Sequence, residues 1–209
     1  MWNNKQYINV YTAKGGNSMS KGLKTALIVI AIIAVILFPL IGSYNNMVNL
    51  EQAVNQSQSN IDTQLQRRSD LIPNLVATVK GYAAQEKDIF TAVADARSRL
   101  AGAQTIQDRA NADSQLSSSL SRLLALVENY PNLKSDQNFR DLSVSLEGTE
   151  NRINIARQDY NNAVGAYNST IRRFPNSIIS GMFRFNEKPY YKASAGAQEV
   201  PKVDFTPTK

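Results

Sequence analysis

Glu86 is the ionisable residue of this sequence whose position most suggests chemistry. It falls at the seam position of an apolar helical pattern, between Tyr82 and Ile89. A carboxylate taken out of water there needs a cation, and Arg67, Arg68, Arg97 and Arg157 are the candidate partners. Two readings stand: a polar centre that binds a ligand or switches state, or an internal ion pair, including an acid at the seam's edge that reaches water. Structural ion pairs perturb such groups as readily as functional sites do. Arg67-Arg68-x-Asp70 is a second cluster. It either ties two helix ends together or holds a phosphate or lipid headgroup, which paired guanidiniums suit. Glu147 and Glu150 are three apart and share a helix face. With Glu86 they sketch a di-metal carboxylate bundle, but that chemistry draws on Glu-x-x-His ligands, and the chain contains no histidine and no cysteine. Thiolate and imidazole metal sites, Cys nucleophiles and His-based triads go with them. No Gly-rich phosphate loop, Gly-x-Ser-x-Gly elbow or Walker pattern occurs. The expectation is a protein without catalytic residues, metal or cofactor.

A last cluster lies near the C-terminus. Arg172, Arg173, Arg184, Lys188 and Lys192 interleave with Phe174, Phe183, Phe185, Tyr190 and Tyr191. Either these aromatics pack on the end of the fold, or the segment meets a membrane surface or a partner, where basic and aromatic residues concentrate.

The element that sets the context for these residues is apolar. No charged residue lies between Thr25 and Leu50, and Ala26 to Ile41 is apolar throughout. With its flanks, 23–44, the run reaches the ~20 residues a helix needs to cross a bilayer. It is long for a signal peptide, and Leu40 and Ile41 occupy the positions before Gly42 where small residues would mark cleavage. An uncleaved transmembrane helix is expected. Lys21 and Lys24 precede it and the next basic residue is Arg67, so the positive-inside rule puts the N-terminus in the cytoplasm. Residues 1–22 form a tail. Lys14-Gly15-Gly16 can be encoded AAA-GGA-GGN, a purine-rich ribosome-binding sequence upstream of Met19. Residues 1–18 are therefore either leader read-through or an unstructured cytoplasmic tail.

Charge follows the same division. The net charge is +6, yet residues 45–170 carry 12 basic and 14 acidic side chains, and the basic excess sits at the two ends. Nucleic-acid binding needs a concentrated basic face, and none runs through the middle.

Helical periodicity fills the rest. Met47, Leu50, Val54, Ile61 and Leu65 give a first seam, and Leu75, Val79, Tyr82, Ile89, Val93, Ala96 and Leu100 a second. Ala112, Leu116, Leu120, Leu123 and Val127 give a third. Phe139, Leu142, Leu146, Thr149, Ile153, Ala156, Tyr160, Ala163 and Tyr167 alternate steps of three and four as the fourth. Asp70 with Pro73 reads as a new helix start, a kinked continuous helix being the alternative. Gly102, Tyr130-Pro131 and Phe174-Pro175 read as stops. Thr105 or Asp108, and Ser135 or Asp136, read as later starts. The expected fold is all-α: a transmembrane helix followed by an antiparallel up-and-down four-helix bundle over 45–176. Its helices are expected near 45–68, 71–101, 106–129 and 136–173, with an irregular basic and aromatic tail over 177–209.

Ile61-Asp62-x-Gln64-Leu65-x-Arg67-Arg68-x-Asp70-Leu71-Ile72-Pro73-Asn74-Leu75-Val76, then Val79-Lys80-Gly81-Tyr82-Ala83 and Glu86, resembles the signature of the LemA family. Glu128-x-Tyr130-Pro131-x-Leu133-Lys134, Asn138-Phe139, Thr149-Glu150, Ala156-Arg157, Tyr160-Asn161, Tyr167-Asn168 and Phe174-Pro175 agree with it. The likeness runs from about Lys21 to Tyr191. Gln85, where many relatives have histidine, and Tyr190-Tyr191, where Tyr-Phe is common, depart from it. The resemblance implies a bacterial membrane protein with an antiparallel four-helix bundle and no established enzymatic activity. Its partners would be the lipid bilayer and either further copies or other envelope proteins, a membrane metalloprotease among them. Asn45, Asn46, Gln52, Asn55, Gln56, Ser57 and Ser59 offer a small, amide-rich face for packing between copies. The expected role is protein–protein interaction or self-assembly at the cytoplasmic membrane. The alternative is a sensor working through Glu86 and its arginines.

Overall fold

The computed structural model describes residues 20–192. The leader expected over 1–18, the start at Met19 and the tail from 193 onward lie outside the described residues. Within them every regular element is helical: α1 (Lys21–Lys80), α2 (Lys87–Gly102), α3 (Ile106–Val127), α4 (Pro131–Lys134), α5 (Gln137–Arg172) and α6 (Asn176–Phe183). The chain divides into two compact units at Gly42 and Ser43.

The first unit holds the apolar part of α1. Leu27, Ile28, Val29, Ile30, Ile32, Ile33, Val35, Phe38 and Ile41 are all exposed, Phe38 by 82%. Ala26, at the start of the run, is exposed too. This helix, apolar on every side and covered by none of the described residues, is long and apolar enough to cross a membrane.

In the second unit the periodicity becomes burial. Ile61, Leu65, Arg68, Ile72, Leu75 and Val79 are buried in steps of four and three along α1. Ile106, Ala110, Asp113, Leu116, Leu120, Leu123 and Val127 do the same on α3. Phe139, Leu146, Thr149, Ile153, Ala156, Tyr160, Val164, Tyr167 and Ile171 line α5. Thr105 caps α3, its Oγ1 accepting from the Asp108 N–H at 3.1 Å. Asp136 caps α5, accepting from the Phe139 N–H at 3.0 Å. That hydrogen bond, which favours the ionised form, holds the Asp136 carboxyl below its usual range.

Two expected boundaries are corrected. Asp70 does not open a helix. It is exposed within α1 and accepts from Gln66 Nε2 at 2.7 Å. Pro73 follows it inside the same helix. Proline there removes the hydrogen bond to the carbonyl four residues earlier, that of Ser69. Arg97, from α2, supplies the missing donor: its Nε lies 3.1 Å from Ser69 O and 3.0 Å from Ser69 Oγ. A side chain distant in sequence thus repairs the helix at the proline. The break comes instead at Gly81 to Glu86, after Lys80, where glycine follows the last helical turn.

The C-terminal segment is also corrected. It is not irregular from 177: Asn176–Phe183 is α6, held by Ser180 Oγ donating to Ile171 O at 3.0 Å. Arg184 then adopts a left-handed backbone, φ 59°, and turns the chain back along α5.

Candidate functional site

Among the described residues, one carboxylate is fully buried: Asp113, on α3. Its position repeats the apolar seam of α3, and an unpaired carboxylate there would be prohibitively costly. Three donors meet it. Arg68 Nη2, from α1, pairs with Asp113 Oδ1, and Arg157 Nη2, from α5, pairs with Oδ2. Tyr191 Oη donates to Oδ2 at 2.8 Å. Arg68 also reaches Glu150 Oε2 at 2.5 Å and Ser117 Oγ at 3.0 Å. Arg157 lies 3.9 Å from Glu150 Oε1, and its guanidinium sits 5.3 Å from the centre of the Tyr191 ring, within cation–π range. Two guanidiniums thus face two carboxylates, and the charges cancel.

Burial lowers the Arg68 pKa, and the adjoining Glu150 carboxylate works against that shift. Burial pushes the Tyr191 phenol up, while Arg157 works to lower it. Tyr191 therefore stays a neutral donor toward Asp113. Chemically, the arrangement is a clamp that joins α1, α3, α5 and the C-terminal segment around one carboxylate.

The segment carrying Tyr191 is fixed to α5 by two asparagines. Asn168 Nδ2 donates to Lys188 O and its Oδ1 accepts from the Lys188 N–H, both at 2.9 Å. Asn161 does the same to Tyr191, at 3.0 and 2.8 Å. Seven residues of helix rise about 10.5 Å, and three residues of extended chain cover about 10 Å. The two asparagines therefore meet the backbone at residues 188 and 191 in register, with the segment antiparallel to α5. Tyr160 Oη donates to Pro189 O, which falls between those two backbone positions, at 2.8 Å. Lys188 Nζ lies 2.7 Å from Glu51 Oε1 and ties the same segment to α1.

Of the residues singled out in the sequence, Arg68 and Arg157 come together here, with Asp113 and Glu150 in place of Glu86. Glu86 does not sit on a buried seam. It precedes α2 at its N-terminal end, half-buried, with Tyr130 Oη 3.4 Å from its carboxylate. No ion pair of Glu86 with an arginine occurs among the described residues. Arg97 serves the Ser69 carbonyl, and Arg67 and Asp70 are exposed on α1. Tyr191 belongs to the basic and aromatic cluster, of whose two expected roles it takes inward packing. Asn161 and Asn168 stood in the sequence only as part of the family pattern, and Asp113 was not singled out at all. Asp113 had a legible signal, since it interrupts Ile106, Ala110, Leu116 and Leu120 at a core spacing.

The LemA family model matches residues 57–205, a span that includes every member of this clamp. Magnetosome protein MamQ 2 of Paramagnetospirillum magneticum is 27% identical over 217 residues, covering 89% of this chain and 76% of that protein. Magnetosome protein MamQ of Magnetospirillum gryphiswaldense is 27% identical over 205 residues, covering 82% and 75%. Protein LemA of Metamycoplasma hominis is 22% identical over 196 residues, covering 90% and 88%. None of these names is that of a known enzyme. With the family pattern extending over most of the described helical core, the chain belongs to the LemA family.

Proposed function

We propose that this protein is a non-enzymatic, single-pass protein of the bacterial cytoplasmic membrane. In this reading α1, α2, α3 and α5 of the second unit form a four-helix bundle on the extracytoplasmic side. The bundle serves protein–protein interaction or self-assembly. The carrying observation is the closed polar centre. Its charges are neutralised by one another around a fully buried Asp113, so the groups closest to a reactive site act as a brace. Outward, α1 offers an amide-rich face in which Asn45, Asn46, Gln52, Asn55 and Gln56 are all exposed. Lysines ahead of the apolar run and none just after it support the orientation. The partners are the bilayer and either further copies or other envelope proteins, a membrane metalloprotease among the candidates. Crosslinking in intact cells, with identification of the captured chains, tests this. Discrete adducts with a second copy or an envelope protein are expected, and recovery of uncrosslinked monomer alone would count against it.

A second reading, a sensor of a ligand or envelope partner, is favoured by one observation. Glu150 and Arg157 keep 38% and 24% of their side chains exposed, so the clamp has an outer edge that a ligand can reach. Its centre is then Glu150 and Arg157 rather than Glu86. Glu150→Gln would change the crosslinked partners if this reading holds, and would leave them unchanged if the clamp is only a brace.

A further inference from the structure

The outer face of α6 is apolar, and none of the described residues covers it. Phe174, Ile178 and Met182 follow one another at steps of four and are exposed by 81%, 57% and 74%. Phe183 beside them is 57% exposed. The opposite side of the same helix, Ile179 and Ser180, is buried. A short helix with one buried face and one bare apolar face needs a partner that is itself apolar.

The charges bordering it give that partner's sign. Arg172, Arg173 and Arg184 flank α6 and are exposed. Glu187 answers only Arg172, at 3.5 Å across two exposed side chains. Arg173 and Arg184 make no ion pair among the described residues. The patch is therefore apolar at its centre and cationic at its rim, the pattern of a helix lying in a lipid headgroup layer.

Chain connectivity gives the location. Ser43 Oγ hydrogen-bonds Asn176 Oδ1 at the start of α6. The Tyr44 ring lies 4.9 Å from Phe183 and 5.6 Å from Phe185, centre to centre. Ser43 and Tyr44 follow the last residue of the apolar run, Ile41, within three positions, a reach of at most about 10 Å. The face thus adjoins the residues that directly follow the apolar run in the chain.

We infer that α6, with Phe174 and its flanking arginines, is an interfacial helix that lies in the headgroup layer of an anionic bilayer beside the exit of the apolar run. The inference rests on that run being a membrane anchor. Tyr44, Phe183 and Phe185 form an aromatic joint between helix and exit point, at the level where aromatic residues favour the interface. The basic and aromatic segment therefore has two roles: Tyr191 packs inward on Asp113, while Phe174, Ile178 and Met182 face lipid.

The full chain has no cysteine, so a single spin label is unique wherever it is placed. Met182→Cys, Val144→Cys and Ile28→Cys, each labelled and reconstituted in phosphatidylcholine vesicles with and without phosphatidylglycerol, would be compared by oxygen and nickel-chelate accessibility. Val144 is exposed by 68% on α5 and lies about 42 Å of helix rise from the end of α5, which makes it the aqueous reference. The oxygen-to-nickel ratio at 182 is expected to exceed that at 144 several-fold, to fall below that at 28, and to rise further when phosphatidylglycerol is present. A label at 182 that reads as aqueous while 28 reads as lipid overturns the inference and leaves the anchor standing. A label at 28 that reads as aqueous overturns the anchor itself. Equal ratios at 182 on the two vesicle types overturn the part assigned to the arginines. Ile178→Cys repeats the measurement on the same face, should labelling at 182 disturb the helicity seen by circular dichroism.

Discussion

Replacing Asp113 by alanine removes the acceptor on which three donors converge. Arg68 is 1% exposed, and its guanidinium would keep only Glu150 and Ser117 as partners. Tyr191 would keep a buried hydroxyl without an acceptor. Breaking a buried pair by deleting one member costs about 3–5 kcal/mol, a large part of the ~5–15 kcal/mol that holds a domain together. Asp113→Asn retains one carbonyl acceptor and should cost less than Asp113→Ala. The combination Arg68→Met, Asp113→Leu and Tyr191→Phe removes the buried members of the polar centre together and leaves the partly exposed Arg157 and Glu150 to each other. It should restore stability to within about 1 kcal/mol of the parent, because apolar side chains of similar volume carry no desolvation penalty. The assay is urea unfolding of the full chain in detergent, followed by far-ultraviolet circular dichroism. A loss below about 1 kcal/mol for Asp113→Ala, the size typical of an exposed ion pair, would refute the reasoning.

Three further outcomes follow from the same contacts. Arg97→Met should cost about 1.5–3 kcal/mol, the worth of a hydrogen bond from a charged donor, and less in a Pro73→Ala background, where a backbone N–H returns to Ser69 O; equal costs in the two backgrounds would contradict the repair of α1 by Arg97. Tyr191, Tyr160 and Tyr167 all have phenol pKa values raised by burial above the ordinary 10.0. Their stabilisation is complete below that value and declines as pH rises beyond it, since the folded state then holds the proton more tightly than the unfolded chain. The urea midpoint should fall above roughly pH 10, and Tyr191→Phe should flatten part of that fall. Asn161→Ala with Asn168→Ala should free the segment around Lys188, read as faster chymotryptic cleavage after Tyr191 with little change in helicity; unchanged cleavage would show that the contacts of Tyr191, Tyr160 and Lys188 hold it without the asparagines.

Much of the helical architecture was legible because apolar residues recur at steps of three and four over long stretches. The burial of Ile61 and Leu65, of Leu116, Leu120 and Leu123, and of Ile153, Ala156 and Tyr160 follows directly from that recurrence. The first helix boundary was not legible. Asp70 and Pro73 form a good local start signal, and what cancels it is Arg97, twenty-four positions further on. Local rules cannot register that compensation. Ending the seam at Leu65 also hid Arg68, which continues it at the next step, and the polar centre was then assigned to Glu86. Asp113 could have been found: an acid among Ile106, Ala110, Leu116 and Leu120 at core spacing calls for a buried cation, and Arg68 and Arg157 are the seam arginines able to supply it. The segment over 184–192 carried no periodic signal, because its order comes from asparagine side chains on α5 holding its backbone, and such contacts leave no pattern in the segment's own sequence.

Alkaline extraction of native membranes bears most directly on the account. With Ala26 to Ile41 embedded in lipid, the protein should stay in the vesicle pellet at high pH and leave it only with detergent. Release into the alkaline supernatant would show that the apolar length of α1 does not span the bilayer, and the reading built on that anchor would fail with it.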